Sequence, residues 1–148
     1  MPEKQTIKRA RRDARQGKAP STQAGEFVRE EIHHVREGKH GARSTRQAIA
    51  IGLSKARRAG VSLPPPKSGS ARMRKQAARD TRKGQHRATK PAARRSRAVL
   101  QALKREQRGA ASHRALARQA KQSASRRSRA DRKRAAQRAA RTRQSHRQ

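Results

Sequence analysis

One aromatic side chain, Phe27, has to serve all 148 residues. That shortage limits what this chain can build. Hydrophobic residues make up 30% of the sequence, and most of them are alanine. Alanine favours helix but buries little area, so the expected fold class is all-α: one or more small helical hairpins followed by a long, largely disordered basic C-terminal region. A core this small is marginal alone, and self-association through the hairpin or a bound ligand would support it.

The charge points to the partner. Forty-three Lys and Arg face nine Asp and Glu, for a formal net charge of +34. Such an excess opposes compaction and draws the chain to polyanions, nucleic acid first and an anionic membrane surface second. A membrane-lying helix would need a large apolar face, which is missing, and no run of 18 apolar residues exists for a span. The opening Met1-Pro2-Glu3-Lys4-Gln5 lacks the apolar stretch of a signal peptide, so a cytoplasmic location is expected. Without cysteine there is no disulfide and no thiolate metal site.

The clearest element runs from Ser44 to Gly60. Ser44 can cap a helix while Gln47, three residues on, reaches back to the Ser44 N–H. Ile49 and Leu53 lie four apart on one face, Gly60 can end the helix, and Val61 can pack back near Ala56. Upstream, Ser21 or Thr22 opens a second helix whose stripe is Ala24, Val28, Ile32 and Val35, with Phe27 at its edge. Gly38 closes it. The predicted hairpin joins helices at about 22–37 and 44–59, with Phe27, Val28, Ile32, Val35, Ile49 and Leu53 as its core. A basic helix over 4–16, ended by Gly17 and Pro20, precedes it and completes a unit at 1–63; taken alone, it should fray.

Pro64, Pro65 and Pro66 mark a Pro-rich linker at 64–70. Residues 1–63 hold 15 Lys or Arg and 6 acids, a net +9, whereas residues 64–148 hold 28 and 3, a net +25. Beyond the linker, Ala10-Arg11-Arg12-Asp13 aligns with Ala77-Ala78-Arg79-Asp80 at an offset of 67. Ile32, Val35, Gly41, Ala42 and Ser44 meet Leu100, Leu103, Gly109, Ala110 and Ser112 at 68. Residues 71–122 therefore read as a degenerate repeat of the first unit, with Val99, Leu100, Leu103 and Leu116 as residual core, or as chance agreement in an Ala- and Arg-rich chain. Residues 123–148 read as a disordered Ala/Arg-rich tail that gains helix on DNA, or as a permanently solvated one.

Arginine outnumbers lysine 31 to 12, and its planar guanidinium suits phosphate. The expected phosphate contacts are Lys39, Arg43, Arg46, Arg57, Arg58, Arg94, Arg95, Arg126, Arg127, Arg134, Arg138 and Arg141. Of these, Lys39, Arg43 and Arg46 would form one clamp at the start of the Ser44 helix, where free N–H groups attract anions; a plain solvated turn is the alternative. The turn at 38–43 is longer than that of a helix-turn-helix. Ordered platforms for single strands stack bases on aromatic rings, so duplex DNA is favoured over single strands, and structured RNA stays open.

His33, His34, His40, Glu30, Glu31 and Glu37 cluster in sequence, but no His-Glu-x-x-His pattern is present. Glu30 with His34 reads as a surface i, i+4 pair, and no metal, cofactor or small-molecule substrate is expected. No nucleophile elbow or paired carboxylate suggests catalysis, and no catalytic residue is assigned.

Arg46-Gln47-Ala48-Ile49-Ala50-Ile51-Gly52-Leu53-Ser54-Lys55-Ala56-Arg57-Arg58-Ala59-Gly60 resembles the signature of a family of short basic bacterial domains of unknown function. Pro20-Ser21-Thr22-Gln23-Ala24-Gly25-Glu26-Phe27-Val28 is similar to its longer members. The resemblance implies a bacterial source and transfers no activity. The remainder is similar in composition to bacterial histone H1-like proteins. Together these features lead to an expectation of a non-enzymatic, nucleoid-associated DNA-binding protein acting by phosphate neutralisation and bridging. The alternatives are an RNA-binding or ribosome-associated protein, and an adaptor whose hairpin docks a protein while the tail holds nucleic acid.

Overall fold

The computed structural model describes residues 2–67, 69–86 and 92–145. Ser68 of the Pro-rich segment, residues 87–91 of the second segment and residues 146–148 of the tail lie outside these. The described chain is helical and falls into two units, 1–112 and 113–148.

In the first unit, helix α1 (Lys4–Arg15) packs on α2 (Pro20–Arg36), and α2 packs on α3 (Thr45–Arg58). Gly52 lies against Val28 while the turn at 37–44 joins the opposite ends, so α2 and α3 run antiparallel. The termini of α3 follow from chemistry legible in the sequence. Ser44 Oγ accepts from the Gln47 N–H at 3.2 Å, although Gln47 Oε1 reaches past Ser44 to accept from the Arg43 N–H at 2.7 Å. At the other end Gly60 takes a φ of +95°, and the Val61 N–H bonds the Ala56 carbonyl at 3.1 Å in a Schellman motif. Helix α2 opens two or three residues earlier than a cap at Ser21 or Thr22 would set it. Pro20 occupies the first turn, where its missing N–H leaves nothing unpaired.

The buried stripe of α2 is rotated from the expected one. Ala24, Ile32 and Val35 of the expected stripe are buried and Val28 is only half-buried, while Phe27, at 1% exposure, and Glu31 are inside with them. Phe27 is therefore central: with Ala10, Ala24, Ala56 and Val61 it forms the core, flanked by Ile7, Leu53 and Leu63. Helix α3 meets α2 through small residues, Thr45, Ala48, Gly52 and Ala56, whereas Ile49 and Leu53 are half-buried. Small side chains let the two backbones approach closely: a Cβ on Gly52 would come within 2.7 Å of Val28 Cα.

Helix α4 (Ala71–Gln85) starts with Ser70 Oγ accepting from the Met73 N–H at 3.2 Å and packs on α3. It buries Ala77 and Asp80, the residues that align with buried Ala10 and Asp13 of α1. Helix α5 (Ala93–Lys104) and a 3₁₀ turn (Gly109–Ala111) follow. Val99 and Leu100 are 54% and 43% exposed and so supply no core.

The second unit holds α6 (His113–Ser125) and α7 (Arg129–Ser145). The disordered C-terminal region is thus corrected, because residues 71–145 are mostly helical wherever they are described. No described residue of α6 or α7 is buried, so local forces account for this helicity. Alanine, arginine and glutamine all favour helix. Ser128 caps α7, its Oγ accepting from the Asp131 N–H at 3.1 Å and donating to Asp131 Oδ2 at 2.7 Å, and Asp131 pairs with Arg134 at 2.8 Å. Asp131 also places a negative charge in the first turn, where the helix dipole favours it.

Candidate nucleic-acid interface

The turn at 37–44 is packed at its centre and exposed on either side. Its Gly41 N–H bonds the Leu103 carbonyl at 2.8 Å and its Ala42 N–H bonds the Gln107 carbonyl at 3.1 Å. From the flanking helices, Arg36 Nε donates to the Ala111 carbonyl at 2.8 Å and Thr45 Oγ1 to the Ala110 carbonyl at 2.6 Å. The turn and the 103–111 segment thus form one seat, in which His40, Gly41 and Ala42 are buried. Lys39 points to acids: its Nζ lies 3.1 Å from Glu37 Oε2 and 3.5 Å from Glu3 Oε1, and the Glu37 bond, then Glu3, raises its pKa above the usual lysine value. Arg43 and Arg46 are exposed.

The other expected phosphate ligands divide by environment. Arg57 is half-buried, reaching the Pro64 carbonyl at 3.4 Å, and Arg58 donates to Ser54 and lies 3.7 Å from Asp80. Arg94 and Arg95 of α5, Arg126 and Arg127 between α6 and α7, and Arg134, Arg138 and Arg141 of α7 are all exposed.

Sequence reading passed over the outer face of α4. Arg72, Lys75, Arg79 and Arg82 recur at spacings of three, four and three, and together with Ala71 and Ala78 they line one shallow groove of about 560 Å³. Ten residues of helix place the first and last of these cations about 15 Å apart along the axis. The opposite face anchors the helix, because Asp80 Oδ2 accepts from Ser54 Oγ at 2.6 Å and its Oδ1 from Gln76 Nε2 at 3.2 Å. Ser54, Arg58, Gln76, Arg79, Asp80, Lys83 and Arg95 line a second cleft of about 330 Å³. Its one acid is already bonded, which leaves the rim positive. The α4 stripe becomes visible once residues 71–85 are known to be helical and Asp80 is known to face inward.

The histidine and glutamate cluster also differs from its reading as surface groups. Glu30 and Glu31 are buried at 5% and 0% exposure, and His34 pairs with Glu3 at 3.0 Å instead of with Glu30. Among the described residues, no helix is long and apolar enough to cross a membrane. Neither a curated protein nor a solved structure matches this chain. Residues 3–67, which carry α1, α2, α3 and the turn between them, match the family of unknown function DUF6496.

Proposed function

We propose that this protein is a non-enzymatic, largely sequence-independent DNA-binding protein, histone-like and associated with the bacterial nucleoid, that neutralises and bridges duplex backbones. The observation that carries the reading is the α4 stripe of Arg72, Lys75, Arg79 and Arg82, four cations on one anchored helix face. Phosphate contacts from such a face position a protein on nucleic acid without reading bases. Residues 64–148 carry a net +25, and the arginines described on their helices face solvent. The single phenylalanine is buried in the core and is not presented as a stacking platform, which favours duplex over single-stranded partners. The composition similar to that of histone H1-like proteins agrees with this role.

The test compares two triple variants that remove equal charge. Arg72→Gln, Lys75→Gln and Arg82→Gln remove three of the stripe's four cations; Lys4→Gln, Lys8→Gln and Arg11→Gln remove three exposed cations from α1. With duplex DNA, the stripe variant should lower the salt slope by about 0.9 per lost contact, and the α1 variant by much less. Equal losses would refute a stripe-centred interface. Preference for structured RNA over matched duplex in competition would overturn the DNA assignment.

A further inference from the structure

We propose that Glu31, His34 and His40 form a zinc-binding site that fastens the 37–44 turn to the C-terminal end of α2. One ligand atom from each lies within 4.8 Å of the other two. Two imidazole nitrogens and one carboxylate oxygen make up a donor set suited to Zn²⁺, with a fourth position left for water.

The state of His40 is what points to a metal. Its Nδ1 lies 3.0 Å from the Gly41 carbonyl, which can only accept, so Nδ1 carries the proton. In the neutral ring Nε2 then presents a lone pair, and it faces Glu31 Oε1 at 3.2 Å. Two acceptors at that distance repel unless something positive lies between them. A backbone carbonyl that fixes the tautomer from behind is the usual support of a metal-bound histidine. Zinc ligands at about 2.1 Å from the ion in tetrahedral geometry stand about 3.4 Å apart, so the His40–Glu31 pair is already at ligand spacing.

The surrounding charges agree. Glu31 is fully buried, and neither of its oxygens receives an aligned hydrogen bond. Lys55 Nζ lies 2.6 Å from Glu31 Oε2 and 3.7 Å from Glu30 Oε1, so one ammonium serves two buried carboxylates. A negative charge is left over inside a protein whose net charge is +34. Lys55 holds Oε2 and leaves Oε1 for the ion. His34, partly buried one helical turn beyond Glu31, completes the set, with Glu3 beside it at 3.0 Å.

The test is titration of the full chain, free of any histidine tag, with Zn²⁺ by calorimetry and with Co²⁺ by visible absorption. The site predicts one equivalent bound, Co²⁺ bands of low-coordinate nitrogen and oxygen ligation, and a Zn²⁺-dependent rise in Tm. His34→Gln and His40→Gln should each weaken binding by at least about tenfold, the scale on which even supporting partners of a metal act. His33→Gln, at the exposed neighbouring histidine, should leave affinity unchanged. His34 lies outside the buried core, so its variant tests the site even if His40→Gln fails to fold. Absence of saturable one-to-one binding would overturn the proposal. Equal weakening by His33→Gln and His34→Gln would overturn it as well.

Discussion

Replacing Gly41 with alanine should break the seat between the 37–44 turn and the 103–111 segment. A Cβ at Gly41 would overlap the Glu106 carbonyl and come within 2.9 Å of the Gln107 carbonyl. Both obstacles are backbone, so no side-chain rotation relieves them and the two segments must separate. Four hydrogen bonds cross this seat: from the Gly41 and Ala42 amides, from Arg36 Nε and from Thr45 Oγ1. At about 1 kcal/mol net each, losing the nearest two costs about 2 kcal/mol and losing all four about 4 kcal/mol. Gly25→Ala is the matched control, because a Cβ there meets nothing within 4 Å. In the body of α2 that change should stabilise by about 0.5–1 kcal/mol through helix propensity. Urea denaturation followed by circular dichroism reads both. A Gly41→Ala protein within about 0.5 kcal/mol of the parent would refute the packed seat, given the two or more bonds it is argued to lose.

Phe27→Ala removes the one large side chain at the centre of the α1–α2–α3 core and should cost about 3–5 kcal/mol, measured in the same way. Lys55→Met leaves Glu30 and Glu31 buried without their ammonium and should destabilise by about 3–5 kcal/mol, measured in the same way. Glu3 is held below the usual carboxylate range by its bond to His34 and then by Lys39. Its folded value is depressed, so its contribution is present above the unfolded value and lost as pH falls through the folded one. Titration of the Glu3 carboxyl carbon by NMR should show the depression in the parent protein and a smaller one in His34→Gln, where Lys39 remains beside Glu3.

What the sequence revealed was local. The cap at Ser44 and the Gly60 terminator mark α3 because both act through neighbours three to five residues away. Ser128 and Asp131 carry the same kind of signal for α7, which makes it helical without DNA, not only on it. The packing of α3 was misjudged because Ile49 and Leu53 draw the eye, whereas close approach of two helices selects Ala48, Gly52 and Ala56. Phe27 stands at the centre of its stripe, not its edge, because Glu31 turns inward with it, and Lys55, 24 positions away, is what receives that carboxylate. The seat beneath Gly41 uses carbonyls of residues 103–111, and a backbone acceptor leaves no mark in the sequence. The α4 stripe lay in plain spacing, obscured by the abundance of arginine around it.

The central claim is that this chain binds duplex nucleic acid through its phosphates. The most direct measurement is the affinity of the full chain for a duplex DNA of fixed length between 50 and 200 mM salt. With about six to ten phosphates contacted, affinity should fall by about 10³- to 10⁵-fold over that range. A nearly flat response, or no binding at 50 mM, would contradict the account.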